Sequence, residues 1–131
     1  MAGSLGDYGE IAALDALFGS GSPATYYVAL YTAAPTDSGG GTEVAAGDYA
    51  RKGVTNDGTL FPGASSGSTT TGADITFAQA VASWGDIAAF GLFDAATDGN
   101  LYAWCDADVT KTCGAGDTYQ IAAGDLTITM D

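Results

Sequence analysis

The chain has 131 residues, sixteen acidic and three basic, with no histidine and a formal net charge of −13. A single domain of this length can bury a core of its own. Because sequence-independent binding to nucleic acid and attraction to anionic lipid are supplied by clustered lysine and arginine, the balance excludes both as partners. No apolar run reaches the length of a membrane span, so a soluble protein is expected. Met1-Ala2-Gly3-Ser4 carries none of the basic, apolar and cleavage regions of a secretory signal, which predicts a protein kept in the cytoplasm until assembly.

Residues 1–22 read as a short helix and linker. Ser4 or Asp7 is positioned to cap the helix, Ile11, Leu14, Leu17 and Phe18 fall on nearly one face, and Gly19 ends it. A helix this short is not stable alone, so its apolar side must dock on a sheet or on another subunit.

Tyr26 to Asp37 follows as the stretch around which the chain is organised. Aromatic and β-branched residues run up to Pro35, which removes a backbone N–H and holds Ala34 extended, and Gly39-Gly40-Gly41 completes the loop. Tyr27, Ala29 and Tyr31 alternate with Tyr26, Val28 and Leu30, so both faces are apolar. Such a strand is either covered on both sides or placed at an interface, and the polar tips of the tyrosines favour the interface. Tyr26, Tyr27 and Tyr31, with Leu17 and Phe18 of the helix and Phe61, form the expected partner surface.

Arg51 and Lys52 hold two of the three cations, and Arg51 is expected to pair with Asp48 or Glu43. From 55 to 72 the composition is that of a loop, with Leu60, Phe61 and Pro62 as its apolar anchors and one brief strand within it. An exposed excursion is expected there. Ala73 to Phe77 alternates as a half-buried strand, and 86–93 reads as a second central strand in which Gly91 marks a bulge or a close backbone approach. Asp98-Gly99 predicts a hairpin into Leu101-Tyr102-Ala103-Trp104. Short strands at 109–112, 119–122 and 126–130 complete roughly seven to nine. That spacing predicts an all-β, antiparallel β-sandwich of Greek-key or jelly-roll type over residues 1–131. Its core is expected to hold Val28, Leu30, Ile75, Phe77, Ile87, Phe90, Leu92, Leu126 and Ile128.

The residues that carry chemistry are sparse. Without histidine there is no imidazole base, Cys105 and Cys113 lack the spacing of a redox or zinc motif, and no phosphate-binding glycine loop is present. The cysteines are read as small, partly buried residues, with a disulfide left open. Asp94, Asp98 and Asn100, or Asp106 and Asp108, offer oxygens without the spacing of a calcium loop, and are read as turns. The expectation is a protein that is not an enzyme and holds no metal or cofactor.

The segments Leu30 to Val44 and Tyr49-Ala50-Arg51, then Asp74-Ile75-Thr76-Phe77, Ala82-Ser83-Trp84-Gly85, Phe90 to Ala96, Val109 to Thr112, Gly116-Asp117-Thr118 and Ala122 to Ile128, resemble a family of small structural proteins of tailed-bacteriophage virions. These are usually labelled phage tail fibre proteins. The resemblance spans nearly the whole chain and brings no catalytic residues with it. It implies a virion component assembled in the host cytoplasm, whose partners are the major capsid protein or tail proteins of the same particle. Two positions compete, and a compact acidic domain with tyrosines on its sheet favours the first. One is a head decoration protein that cements the capsid lattice. The other is a small tail or tail-fibre component, or a host-receptor module whose Trp84, Tyr102 and Trp104 stack on sugar rings. For the tryptophans, core packing is the simpler expectation. Self-association is expected in either position, a trimer by analogy with decoration and fibre proteins.

Overall fold

A computed structural model of the protein describes residues 3–130. The fold is mostly β, with antiparallel sheets and one short helix. The helix α1 (Asp7–Leu17) precedes nine strands: β1 (Thr25–Ala33), β2 (Thr42–Glu43), β3 (Lys52–Thr55), β4 (Ser68–Thr70), β5 (Ile75–Thr76), β6 (Gly85–Phe93), β7 (Leu101–Cys113), β8 (Gln120–Ile121) and β9 (Thr127–Thr129).

The expected organising strand is central. β1 pairs with β6 along Tyr27↔Phe93 to Tyr31↔Ala89, and its other edge is shared by β3 at Thr25 to Val28 and by β2 at Tyr31 and Ala33. β6 pairs in turn with β7, which closes the five-stranded sheet on that side. The expected hairpin joins β6 to β7. Asp94 accepts the Asn100 N–H (2.7 Å) and its side-chain amide (2.9 Å), which holds this carboxyl below the usual range. Gly99 sits at φ +77°, where an added Cβ would lie 2.6 Å from Asp94 Oδ1. The segment is a turn, as read.

The second layer is not the continuous sheet of a regular sandwich. It consists of two ribbons, β4 with β9 and β5 with β8, beside the end of α1 and the segment after β3. All nine expected core residues lie in one buried cluster between this layer and the sheet. Strict alternation would have put Ile87 on the face opposite Phe90. β6 changes face at Ala88, where its register with β7 slips, and this brings Ile87 inward.

Two expectations need correction. The excursion at 55–72 is folded in: Leu60, Phe61, Thr69 and Thr71 are buried, and β4 lies within it. Asn56 is also buried, and it explains why this polar text packs. Its Oδ1 accepts the Gly19 N–H (2.6 Å), while Nδ2 donates to the carbonyls of Leu17 (2.9 Å) and Pro23 (2.8 Å). One side-chain amide thus ties the end of α1 to the segment before β1 and satisfies partly buried backbone groups. The helix also starts differently. Gly6 is the N-cap without a side-chain bond, and Asp7 lies in the first turn, where its charge suits the helix dipole. Leu14 and Phe18 are buried and Gly19 (φ +101°) follows, but Leu17 is 39% exposed.

The outer face of the sheet is covered by its own side chains. Ala29, Ala89 and Gly91 form a floor of small residues under Tyr31 and Phe93, flanked by half-buried Tyr27 and Leu101. A Cβ at Gly91 would stand 3.0 Å from the Tyr31 ring, so the glycine marks close approach. Arg51 caps this layer, its Cζ 3.7 Å from the Phe93 ring centroid. The expected ion pair forms with Glu43, not Asp48: Arg51 Nε and Nη2 donate to the two Glu43 oxygens at 2.9 Å each. Nη1 donates to the carbonyls of Ala95 (3.0 Å) and Asp98 (2.8 Å). Tyr49 donates to Glu43 Oε2 (2.8 Å) and accepts the Leu30 N–H (2.9 Å). Asp48 instead accepts the Trp84 indole N–H (3.1 Å) and the Val81 N–H, which holds its carboxyl below the usual range.

Replacing Phe90 with Ala should cost about 3–5 kcal/mol through lost burial and the cavity left behind, and thermal or denaturant unfolding measures it. Arg51→Ala should cost about 2–4 kcal/mol, because Glu43 loses its ion partner and two carbonyls lose their donor. Arg51→Lys should recover only part of that loss, since one ammonium cannot reproduce the guanidinium fork. Equal melting temperatures for the Lys variant and the natural protein would refute the role given to the fork.

Candidate interaction surface

The six residues expected to meet a partner do not share one surface. Tyr26 is fully buried. Its ring stacks on Phe18 (5.4 Å between centroids) and meets Phe61 edge-on (6.4 Å), and Phe18 lies 5.1 Å from Phe61. The Tyr26 hydroxyl donates to the Leu17 carbonyl (2.9 Å), and burial pushes its pKa up. Tyr31 is buried beneath the Arg51 layer. Tyr26, Tyr31, Phe18 and Phe61 are therefore committed to the chain's own packing. β1 is covered on both faces, the other of the two arrangements open to a doubly apolar strand. Only half-buried Tyr27 and exposed Leu17 keep area for contact. The sequence carried no sign that 56–61 folds back over the inner face of β1, and without that cover these aromatics look available.

Exposed apolar area lies elsewhere. The start of the helix shows Leu5 at 54% and Tyr8 at 88% exposure, and Val81 and Val109 are also open. Tyr8 and Leu17, at the two ends of α1, stay open to solvent while Leu14 between them is buried, so the chain covers only part of the helix's apolar area.

A cleft of about 500 Å³ runs beside β7 and β9. Trp104 and Tyr102 come from β7, Asp37 from the loop after β1, Asp106 from β7, and Thr127 and Thr129 from β9. The Trp104 indole N–H donates to Asp37 Oδ1 (3.1 Å), which fixes the ring against a loop 67 residues away in the chain. Tyr102 is 41% exposed and packs edge-on against Tyr26 at 5.5 Å. The two tryptophans thus differ: Trp84 is a core residue, and Trp104 is half-buried in this cleft. Of the cleft residues, sequence reading found the two aromatics and treated Asp106 only as a turn acid. Asp37, Thr127 and Thr129 reach the cleft through sheet and loop geometry that no local pattern encodes.

The cysteines are unbridged, Cys113 buried and Cys105 half-buried, so the disulfide left open does not form. Burial pushes both thiols up, keeping them protonated near neutral pH and poorly nucleophilic. Among the described residues, no three cysteine or acidic side chains converge as metal ligands.

Comparison with curated proteins gives no match. A family model described as podophage GP4 fiber I protein gp80 matches residues 4–129, from before the helix to the end of β9. This agrees with the resemblance carried by the strand and turn segments above, and the chain belongs to the podophage GP4 fiber I protein gp80 family.

Proposed function

We propose that the protein is a non-enzymatic structural component of the tail-fibre apparatus of a tailed-phage virion. The family match over residues 4–129 carries this reading. The alternative of a head decoration protein draws on the same small domain and acidic surface, but the family's description favours the fibre. The chemistry supports a structural role, since the chain offers no imidazole and its thiols are held protonated by burial. With a net charge of −13 it is repelled by packaged nucleic acid and by anionic lipid, which favours protein partners, and the fibre reading makes these tail proteins. Among the described residues no helix is long and apolar enough to cross a membrane.

We also propose that it works in several copies, a trimer being the arrangement common among fibre and decoration proteins. The exposed Leu5 and Tyr8 at the start of the helix are the contact this reading favours.

Labelled protein in whole virions, located by electron microscopy, should lie on the fibres. Labels spread over the head surface would overturn the fibre position and restore decoration. Self-association should strengthen between about 0.01 M and 1 M salt, as the Debye length falls from about 30 Å to about 3 Å and like charges are screened from apolar contacts. Sedimentation reads this directly, and a monomer at both extremes would refute self-association of the isolated protein.

A further inference from the structure

We infer that Asp98 is a site of spontaneous covalent modification, at which the main chain is rerouted through the aspartate side chain to give isoaspartate. The inference does not depend on where the protein sits in the virion. Ring closure between an aspartate side chain and the next peptide nitrogen needs an unhindered nitrogen, so Asp-Gly is the dipeptide that permits it most readily. The chain has two, Asp57-Gly58 and Asp98-Gly99, and the fold treats them differently. Asp57 Oδ1 accepts the N–H groups of Thr59 and Leu60 (3.0 Å each), its carbonyl accepts the Phe61 N–H (2.9 Å), and Asn56, Leu60 and Phe61 around it are buried. Closing a ring there would break that set of bonds. Asp98 and Gly99 are exposed in the β6–β7 turn, both in left-handed conformation (φ +53° and +77°). Among the described residues, neither the Asp98 carboxylate nor the Gly99 N–H has a hydrogen-bond partner in the protein.

Arg51 adds the chemistry. Its Nη1 donates to the Asp98 carbonyl oxygen at 2.8 Å, and a cation on an amide oxygen favours the form in which negative charge builds on that amide as its nitrogen loses a proton. The Gly99 nitrogen is thereby the better nucleophile. Its attack on Asp98 Cγ forms a five-membered imide, and the N–H proton departs with the carboxyl hydroxyl as one water. A water then adds back and opens the ring at one of its two carbonyl carbons. Addition at Cγ restores aspartate. Addition at the main-chain carbonyl, where the guanidinium stabilises the charge that develops on the oxygen, breaks the bond to Gly99 N and leaves a free α-carboxylate, with the chain now running through Cγ. The product has the same mass and one more methylene in the turn. It also sets a carboxylate where Arg51 bonded a peptide carbonyl, so that Glu43 has a competitor for the guanidinium that seals Tyr31 and Phe93. The outer face of the sheet ages at one bond.

The two Asp-Gly sites provide an internal comparison. After prolonged warm incubation of the folded protein, electron-transfer fragmentation of its peptides distinguishes the two backbones. Isoaspartate at position 98 should run roughly tenfold ahead of position 57, the equivalent of about 1.4 kcal/mol in barrier height. In strong denaturant the two positions should react at similar rates. Asp98→Asn gives a direct view of the ring opening: the turn accepts asparagine at positive φ, ammonia leaves in place of water, and the acidic products arise through the imide. Their isoaspartate share should drop when Arg51→Lys is added. The inference is overturned if the folded protein forms no isoaspartate at position 98, if position 57 keeps pace with it, or if the gap between them persists in denaturant. An isoaspartate share that Arg51→Lys leaves unchanged would overturn the part given to the guanidinium.

Discussion

The pairing of β1 with β6 places two doubly apolar strands side by side, and the rest of the molecule answers the need to cover them on both faces. On the inner face the solution is a second layer gathered from short pieces: two ribbons, the last turn of α1 and the segment that Asn56 secures. Such pieces cannot supply a continuous sheet, so side chains fill what the backbone does not. The linked aromatic contacts of Phe18, Tyr26 and Phe61, and of Phe77, Trp84, Phe90 and Tyr119, are that filling.

On the outer face the described residues form no second layer, and the problem is solved by size. Alanine and glycine on the central strands let Tyr31 and Phe93 lie down over them, and Arg51 seals the arrangement from above. One of three cations in a chain of charge −13 is thereby held inside a network that joins β1, β2 and the β6–β7 turn. The Glu43 carboxylate holds the proton on Arg51 and pushes its pKa up, so the guanidinium stays charged at any ordinary pH.

Much of this was legible in the sequence where the signal is local. Pro35 after a β-rich run, alternation at Ile75 and Phe77, and Asp98-Gly99 each act within a few residues, and the matching strand end, half-buried strand and hairpin are present. The failures are where the physical cause lies far along the chain. Asn56 reads as a loop residue because its partners, Leu17, Gly19 and Pro23, are more than thirty positions away. Tyr26 and Phe61 read as interface residues for the same reason, since each is buried by the other's segment. The cleft was half visible: aromatics can be counted in a sequence, but the meeting of Asp37 with Trp104 depends on how a loop closes over a sheet edge.

The slip between β6 and β7 has a consequence for how copies can meet. From Ile87 to Ala89 the partner strand advances from Lys111 to Asp106, so Ala107 to Thr110 bow out of the ladder at the sheet's last edge. A straight edge would accept the same strand of the next molecule, and the next again, in an open-ended ribbon. A bowed one offers too few aligned backbone groups to pass the pairing on. Where copies associate as proposed, contacts along this edge fall to side-chain surfaces, which a fixed number of neighbours can satisfy, and an assembly built that way would stop at a definite size.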